Sequence, residues 1–168
     1  MRAVSVQDMK EMEVAANAAG YSYEEMMSRA GKGIASLVLA RFHQTGIESA
    51  IGLVGGGNNG GDTLIALTEL SKKGWKCSAV LLGTRKKDDP QLVEFLSVGG
   101  TITSISDVMF EGQKLVSVTV LLDGIYGTGF RPPLPEEVQS ALRIAADSWE
   151  KSRIVAVDCP SGVDCQTG

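Results

Sequence analysis

Apolar positions along the chain keep helical spacing at first and then switch to alternating short runs. Ser5-Val6-Gln7-Asp8 sets a serine N-cap with an acid three residues on. In such a capping box each side chain satisfies the other residue's free backbone N–H. The pattern predicts a helix from there to about Ala19, stopped at Gly20. Ser22-Tyr23-Glu24-Glu25 repeats the motif, and Met26, Met27, Ala30, Ile34, Leu37 and Val38 predict a second helix to about Phe42. Strand-like runs then appear at 51–54, 76–82, 101–105, 116–122 and 154–157. Between them come helical patterns: one from Gly61 or Asp62 through Leu70, one over 90–96 and one over 136–148. Residues 106–115 fit neither template.

Strands alternating with helices predict an α/β fold. The expected architecture is a three-layer, Rossmann-like domain, a mostly parallel sheet with helices on both faces, preceded by the two N-terminal helices. The strand runs are continuously apolar, as in strands covered on both sides. Neither an internal repeat nor a linker divides the chain, so residues 1–168 read as one domain. A βαβ protein ordinarily continues beyond a glycine-rich turn such as the one ending at Gly168, so a domain truncated at its C-terminus is expected.

Composition narrows the class. Apolar residues make up 43% and charged residues 21%, the balance of a soluble globular protein. The formal net charge of −4 argues against non-specific nucleic-acid binding. The longest apolar runs are far too short to span a bilayer. The first residues lack an apolar h-region and carry Asp8 and Glu11, so neither a secretory signal nor a transit peptide is expected. Cys77, Cys159 and Cys165 are odd in number and form no CxxC, which argues against a disulfide framework or a structural zinc site and points to a reducing, cytoplasmic setting. His43 is the single histidine, so acid–base chemistry falls to carboxylates.

The unusual residues cluster in three segments, each directly after a predicted strand. They are Gly55-Gly56-Gly57-Asn58-Asn59-Gly60-Gly61-Asp62, then Asp123-Gly124-Ile125-Tyr126-Gly127-Thr128-Gly129-Phe130-Arg131-Pro132-Pro133, then Asp158-Cys159-Pro160-Ser161-Gly162-Val163-Asp164. In an open parallel sheet the carboxyl ends of the strands share one edge, where ligands bind, so the three segments converge. The first matches GxGxxG at Gly55, Gly57 and Gly60, and free N–H groups at a helix start can hold a phosphate. Two consecutive asparagines add amides that a bare turn does not need. No Gly-Lys-Ser/Thr follows, so it is not a Walker A loop. Arg85-Lys86-Lys87 stands where a Rossmann fold carries its ribose-binding acid. It reads as a solvated loop or as a contact to a 2′-phosphate. Asp123 and Asp158 are strand-end aspartates suited to acid–base work, ribose binding or cation binding. Asn59, Asp123 and Ser161 offer the oxygen ligands that hard cations take. His43, Met26, Met27, Trp75, Trp149 and Cys77 read as capping or packing residues.

Together these motifs resemble the YjeF N-terminal domain family, whose characterised enzymes are NAD(P)H-hydrate epimerases. The resemblance rests on Gly56 through Asp62, on Asp123 with Gly127-Thr128-Gly129, and on Val157 through Asp164 with Thr167-Gly168. It spans essentially the whole chain, including Met26-Met27 and Ala30-Gly31. It implies a Rossmann-like homodimer acting on NADHX or NADPHX, nicotinamides hydrated across the 5,6 double bond. The R and S forms at C6 interconvert so that a fused or separate dehydratase can repair the S form. By this resemblance Asn58, Asn59, Gly60, Gly61 and Asp62 contact substrate. So do Gly127, Thr128, Gly129, Phe130, Arg131, Pro132, Pro133 and Asp158. Asn59, Asp123 and Ser161 bind one K+ (potassium) ion per subunit. Thr63 stands where the family usually has glycine, Ser28-Arg29 where Glu-Asn is common, and Cys159 where an apolar residue is typical.

C6 of the hydrate bears both a hydroxyl and the ring nitrogen. As a hemiaminal it loses its configuration by expelling hydroxide or by opening the ring. Either route moves a proton on or off oxygen, and the sequence nominates Asp123 for this, with Asp158 second. Two other readings compete. A Rossmann NADP oxidoreductase leaves the Asn58-Asn59 and Pro160-Ser161 motifs unexplained and lacks a catalytic Tyr-Lys pair. A non-catalytic YjeF-type module would bind a nucleotide or a partner.

Overall fold

The computed structural model describes residues 4–110, 119–150 and 153–165. Both capping boxes form. Ser5 accepts from the Asp8 N–H while Asp8 accepts from the Ser5 N–H, opening α1 (Val6–Ala18). Ser22 and Glu25 do the same for α2 (Tyr23–Phe42). A 3₁₀ turn over His43–Thr45, closed by Gly46 in the left-handed region, ends that helix and leaves His43 exposed. The chain continues through β1 (Ser49–Gly55), α3 (Asn58–Lys72), β2 (Lys76–Leu82), α4 (Pro90–Ser97), β3 (Thr101–Ile102), α5 (Ile105–Phe110), β4 (Thr119–Gly124), α6 (Glu136–Ser148) and β5 (Ile154–Ala156).

The five strands form one sheet in the order β3-β2-β1-β4-β5, and every pairing is parallel. Two apolar cores cover its faces. Val38 and Phe42 of α2, Leu64, Leu67 and Leu70 of α3, and Phe95 of α4 pack against Ala50, Val54, Val120 and Leu122. On the opposite face Val138, Ala141 and Ala145 of α6 cover Ile51, Leu53, Val80 and Leu121. The expected three layers are therefore present, with β1 and β4 buried on both sides. Trp75 and Trp149 are buried packing residues, and the Trp149 indole donates to the Thr119 carbonyl at 3.2 Å. Cys77 is enclosed within β2, and burial pushes its thiol up to about 11.

Several predicted boundaries move. The third helix starts at Asn58 rather than at Gly61 or Asp62, which places the whole asparagine–glycine motif in its first turns. Thr63 explains how α3 sits so close to the sheet. Its side chain fits a notch over Gly52 and Gly124, and a Cβ on Gly124 would collide with the Thr63 hydroxyl. That hydroxyl donates to the Asn59 carbonyl at 2.8 Å, satisfying it inside the core. The strand predicted over 101–105 stops at Ile102, because Ser104 accepts from the Asp107 N–H and caps α5. Only the 119–122 part of the strand predicted at 116–122 lies within the described residues, and 116–118 lie outside them, as do residues 111–115. The last strand ends at Ala156, one residue before the predicted end, although the Val157 N–H still donates to the Asp123 carbonyl.

Candidate active site

The crossover after β1 runs through α3 on one face, and the chain after β4 runs through α6 on the other. The adjacent carboxyl ends of β1 and β4 are therefore the topological switch point, where an open α/β sheet forms a crevice. The three candidate segments meet there as expected.

On the β1 side, Gly57 is the N-cap of α3 and has no side chain to satisfy the first N–H groups of the helix. Those donors and the positive end of the dipole face the crevice, a ready arrangement for an anion. Asn59 lies in this first turn and is buried, yet neither its Oδ1 nor its Nδ2 has a hydrogen-bond partner. An orphaned buried amide is costly unless something else satisfies it. Arg85 braces the turn from the neighbouring loop. Its guanidinium donates to the carbonyls of Gly55 at 3.0 Å and Gly57 at 2.8 Å, and pairs with Asp89 at 2.6 Å. With its side chain only 5% exposed, Arg85 is neither solvated nor available to a 2′-phosphate, and both readings of that residue are corrected here. Lys86 and Lys87 are exposed.

On the β4 and β5 side, Asp123 is buried and both its oxygens are engaged by one residue. The Ser161 N–H donates to Oδ2 at 2.8 Å and the Ser161 hydroxyl to Oδ1 at 2.5 Å. The Tyr126 N–H in turn donates to the Ser161 hydroxyl at 3.0 Å. Asp158 adopts a left-handed backbone with φ 66°, which swings its carboxylate over the next loop. There Oδ2 accepts from the Thr128 N–H at 2.7 Å, and a Cβ on Gly127 would collide with that oxygen. Gly129 is exposed. Phe130 is buried and tilted against Tyr126 with ring centroids 5.3 Å apart, while Arg131, Pro132 and Pro133 stand exposed beyond it. The Pro132–Pro133 peptide is cis.

Asp62 joins the two sides. It is half-buried, and it accepts no hydrogen bond among the described residues. Burial, then the charge of Asp158 and then that of Glu13 push its carboxyl up to about 7. A buried carboxyl beside ionised ones keeps its proton near neutrality. Glu13 belongs to α1, so the first helix contributes charge to the site. Nothing in the sequence pattern pointed to that. Arg85 was also missed as a brace, although its four-residue spacing to Asp89 was a readable signal. Cys159 lies beside Asp158, and burial, the hydrogen bond from Cys165 and the Asp158 charge push its thiol up to about 12. A thiol held there stays protonated near neutrality and is not an activated nucleophile on its own. Among the described residues no three His, Cys, Asp or Glu gather as a metal cluster.

The family model described as "YjeF-related protein N-terminus" matches residues 23–168, and the chain belongs to that family. It is 32% identical to a NAD(P)H-hydrate epimerase of Cenarchaeum symbiosum over 98% of this chain and 76% of that protein. It is 27% identical to a NAD(P)H-hydrate epimerase of Leuconostoc gelidum over 100% of this chain and 73% of the relative. It is also 27% identical to the bifunctional NAD(P)H-hydrate repair enzyme Nnr of Methanopyrus kandleri, over 98% of this chain but only 34% of that longer enzyme. The chain thus spans about three quarters of the two epimerases and about a third of the bifunctional relative. The crystal structure of yeast ynu0, YNL200c, superposes with a TM-score of 0.82 at 21% identity, covering 100% of this chain and 74% of the yeast one. That superposition establishes the shared fold.

Proposed function

We propose that this chain is an isomerase that interconverts the R and S forms of hydrated NADH and NADPH at C6 of the nicotinamide ring. The observation that carries the reading is the meeting of the Asn58-to-Asp62 turn, the Asp123–Ser161 pair and Asp158 at one switch point, in a member of a family whose relatives bear this activity by name. The α3 N-terminus and the Asn59 amide bind polar groups of the dinucleotide. The loop from Gly127 through Pro133 lies along it. Phe130 and Tyr126 hold that loop from below.

Asp123 is occupied at both oxygens, which favours a holding role over moving a proton. Asp158 and Asp62 are better placed for the chemistry. Asp62, which keeps its proton up to about 7, and Asp158, whose charge it feels, form an acid–base pair. Asp62 gives its proton to the departing C6 hydroxyl, which leaves as water; Asp158 takes a proton from the water that adds to the other face, and passing it to Asp62 resets the pair. For a cation, Asn59, Asp123 and Ser161 supply amide, carboxylate and hydroxyl oxygens, and the unpartnered Asn59 Oδ1 fits such a ligand. Potassium held there would supply fixed positive charge beside the reacting ring.

The enzyme is read as a cytoplasmic homodimer working with a fused or separate dehydratase. Helix α1 buries none of its residues and exposes Met9, Met12 and Val14, which favours a second copy covering it. No helix among the described residues is long and apolar enough to cross a membrane.

The test is conversion of (R)-NADPHX by purified protein coupled to an S-specific dehydratase and its nucleotide. Potassium is present or replaced by a bulky organic cation. Consumption of the R form faster than its spontaneous epimerisation, dependent on potassium, is expected. No acceleration by folded protein in either salt would sink the enzyme reading and leave a binding module.

A further inference from the structure

Outside the proton-transfer groups, one pair of side chains stands without a role. Cys159 and Cys165 lie six residues apart in the chain, yet the Cys165 thiol donates to the Cys159 sulfur across 2.9 Å. The turn between them causes this approach. Asp158 leaves β5 in a left-handed conformation, Gly162 sits at φ 95°, and the Val163 N–H closes back on the Pro160 carbonyl at 3.2 Å. Ser161, which grips Asp123, lies inside the ring that the two sulfurs all but close. Cys165 is exposed, Cys159 is half-buried beside it, and Cys77 is sealed within β2.

We infer that Cys159 and Cys165 are a paired oxidation site, at which a hydroperoxide converts two thiols into one intramolecular disulfide around Ser161. The exposed Cys165 meets the oxidant first. Its sulfur takes one oxygen and becomes a sulfenic acid, and the hydroperoxide leaves as water or alcohol. The Cys159 sulfur then attacks that sulfur. The S–S bond forms, the S–O bond breaks, and the hydroxyl departs as water with the Cys159 proton. Two thiols lose two electrons and two protons in all, and one hydroperoxide is reduced. The neighbouring thiol captures the sulfenic acid before a second oxygen can be added, so the modification is reversible by thiol reductants. The bridge closes around a turn already in its bridged shape, so it tightens the segment that carries Asp158 and Ser161.

The whole chain is treated with one equivalent of hydrogen peroxide, and its intact mass and free thiols are measured. The expected product is about 2 Da lighter, with one thiol left that reacts only after denaturation. Trypsin cuts after Arg153, and no lysine or arginine lies between there and Cys165, so both cysteines leave in one peptide. The loss should lie in that peptide and vanish with dithiothreitol. Cys77→Ser should behave as the unaltered chain does. Cys165→Ser should lose the lighter species, and Cys159→Ser should collect oxygen on Cys165 instead. A persistent gain of one or more oxygens at Cys165 in the unaltered chain, disulfide-linked dimers, or oxidation of Cys77 at the same rate would overturn the assignment.

Discussion

The two edges of the sheet are built from the same strands and differ in what they leave unsatisfied. At the amino-terminal edge a hollow of about 700 Å³ opens between Ser49, Trp75, Ser78, Thr101 and Thr119. Its hydroxyls pair across the strands, Ser49 with Thr119 at 2.8 Å and Ser78 with Thr101 at 2.9 Å. At the carboxyl edge Asn59 keeps an unpartnered amide, α3 begins without a side-chain cap, and Asp62 is held near neutrality among other acids. A hollow of that volume does not by itself mark a site. Unmet hydrogen-bonding capacity and a perturbed carboxyl choose the second.

The sharpest break of this contrast is Asp158→Asn. The side chain keeps its shape but not its charge, and kcat for epimerisation is expected to fall by about 10²–10³-fold. Arg85→Met tests the brace behind the glycine turn. It strips the Gly55 and Gly57 carbonyls of a donor and leaves Asp89 unpaired, so denaturant unfolding should show a loss of about 3 kcal/mol. Asp123→Ala leaves the half-buried Ser161 N–H without its acceptor, and the same measurement should show a loss of about 2 kcal/mol.

Asp62 gives a pH signature. Its folded pKa lies above the unfolded one, so the folded state holds the extra proton. The stability it lends is complete below about pH 4 and is lost as pH rises through about 7. Asp62→Asn should therefore melt higher than the unaltered chain at pH 8, and the two melting temperatures should converge near pH 4. The smallest effect belongs to the opposite edge. Ser49→Ala removes one hydroxyl pair for about 1 kcal/mol and should leave kcat/KM unchanged. A tenfold drop there would reverse the assignment of the two edges.

Much of this was legible beforehand, for local reasons. Ser5, Asp8, Ser22 and Glu25 write helix starts in four residues each, and both formed. Alternating strands and helices required a parallel sheet, and that brought Asn59, Asp123 and Asp158 to one edge without knowledge of strand order. What escaped was set by contacts distant in sequence. Gly60 and Gly61 are poor helix formers, so α3 was placed too late. The notch of Gly52 and Gly124 that receives Thr63 draws its first turns down onto the sheet. Arg85 looked solvent-bound because the carbonyls it serves lie 28 and 30 residues earlier. Ile105 is β-branched and read as strand, but Ser104 caps a helix there. Thr63 departs from the family's usual glycine, yet its hydroxyl and methyl both find places, so the fold accommodates the departure.

The most direct test maps the ligand itself. Backbone amide shifts of isotopically labelled protein would be followed during titration with NADPHX. The account predicts shifts confined to Gly57 through Asp62, Gly127 through Phe130, and Asp158 through Gly162. Shifts at Ser49, Trp75 and Thr119, with the carboxyl edge silent, would contradict it.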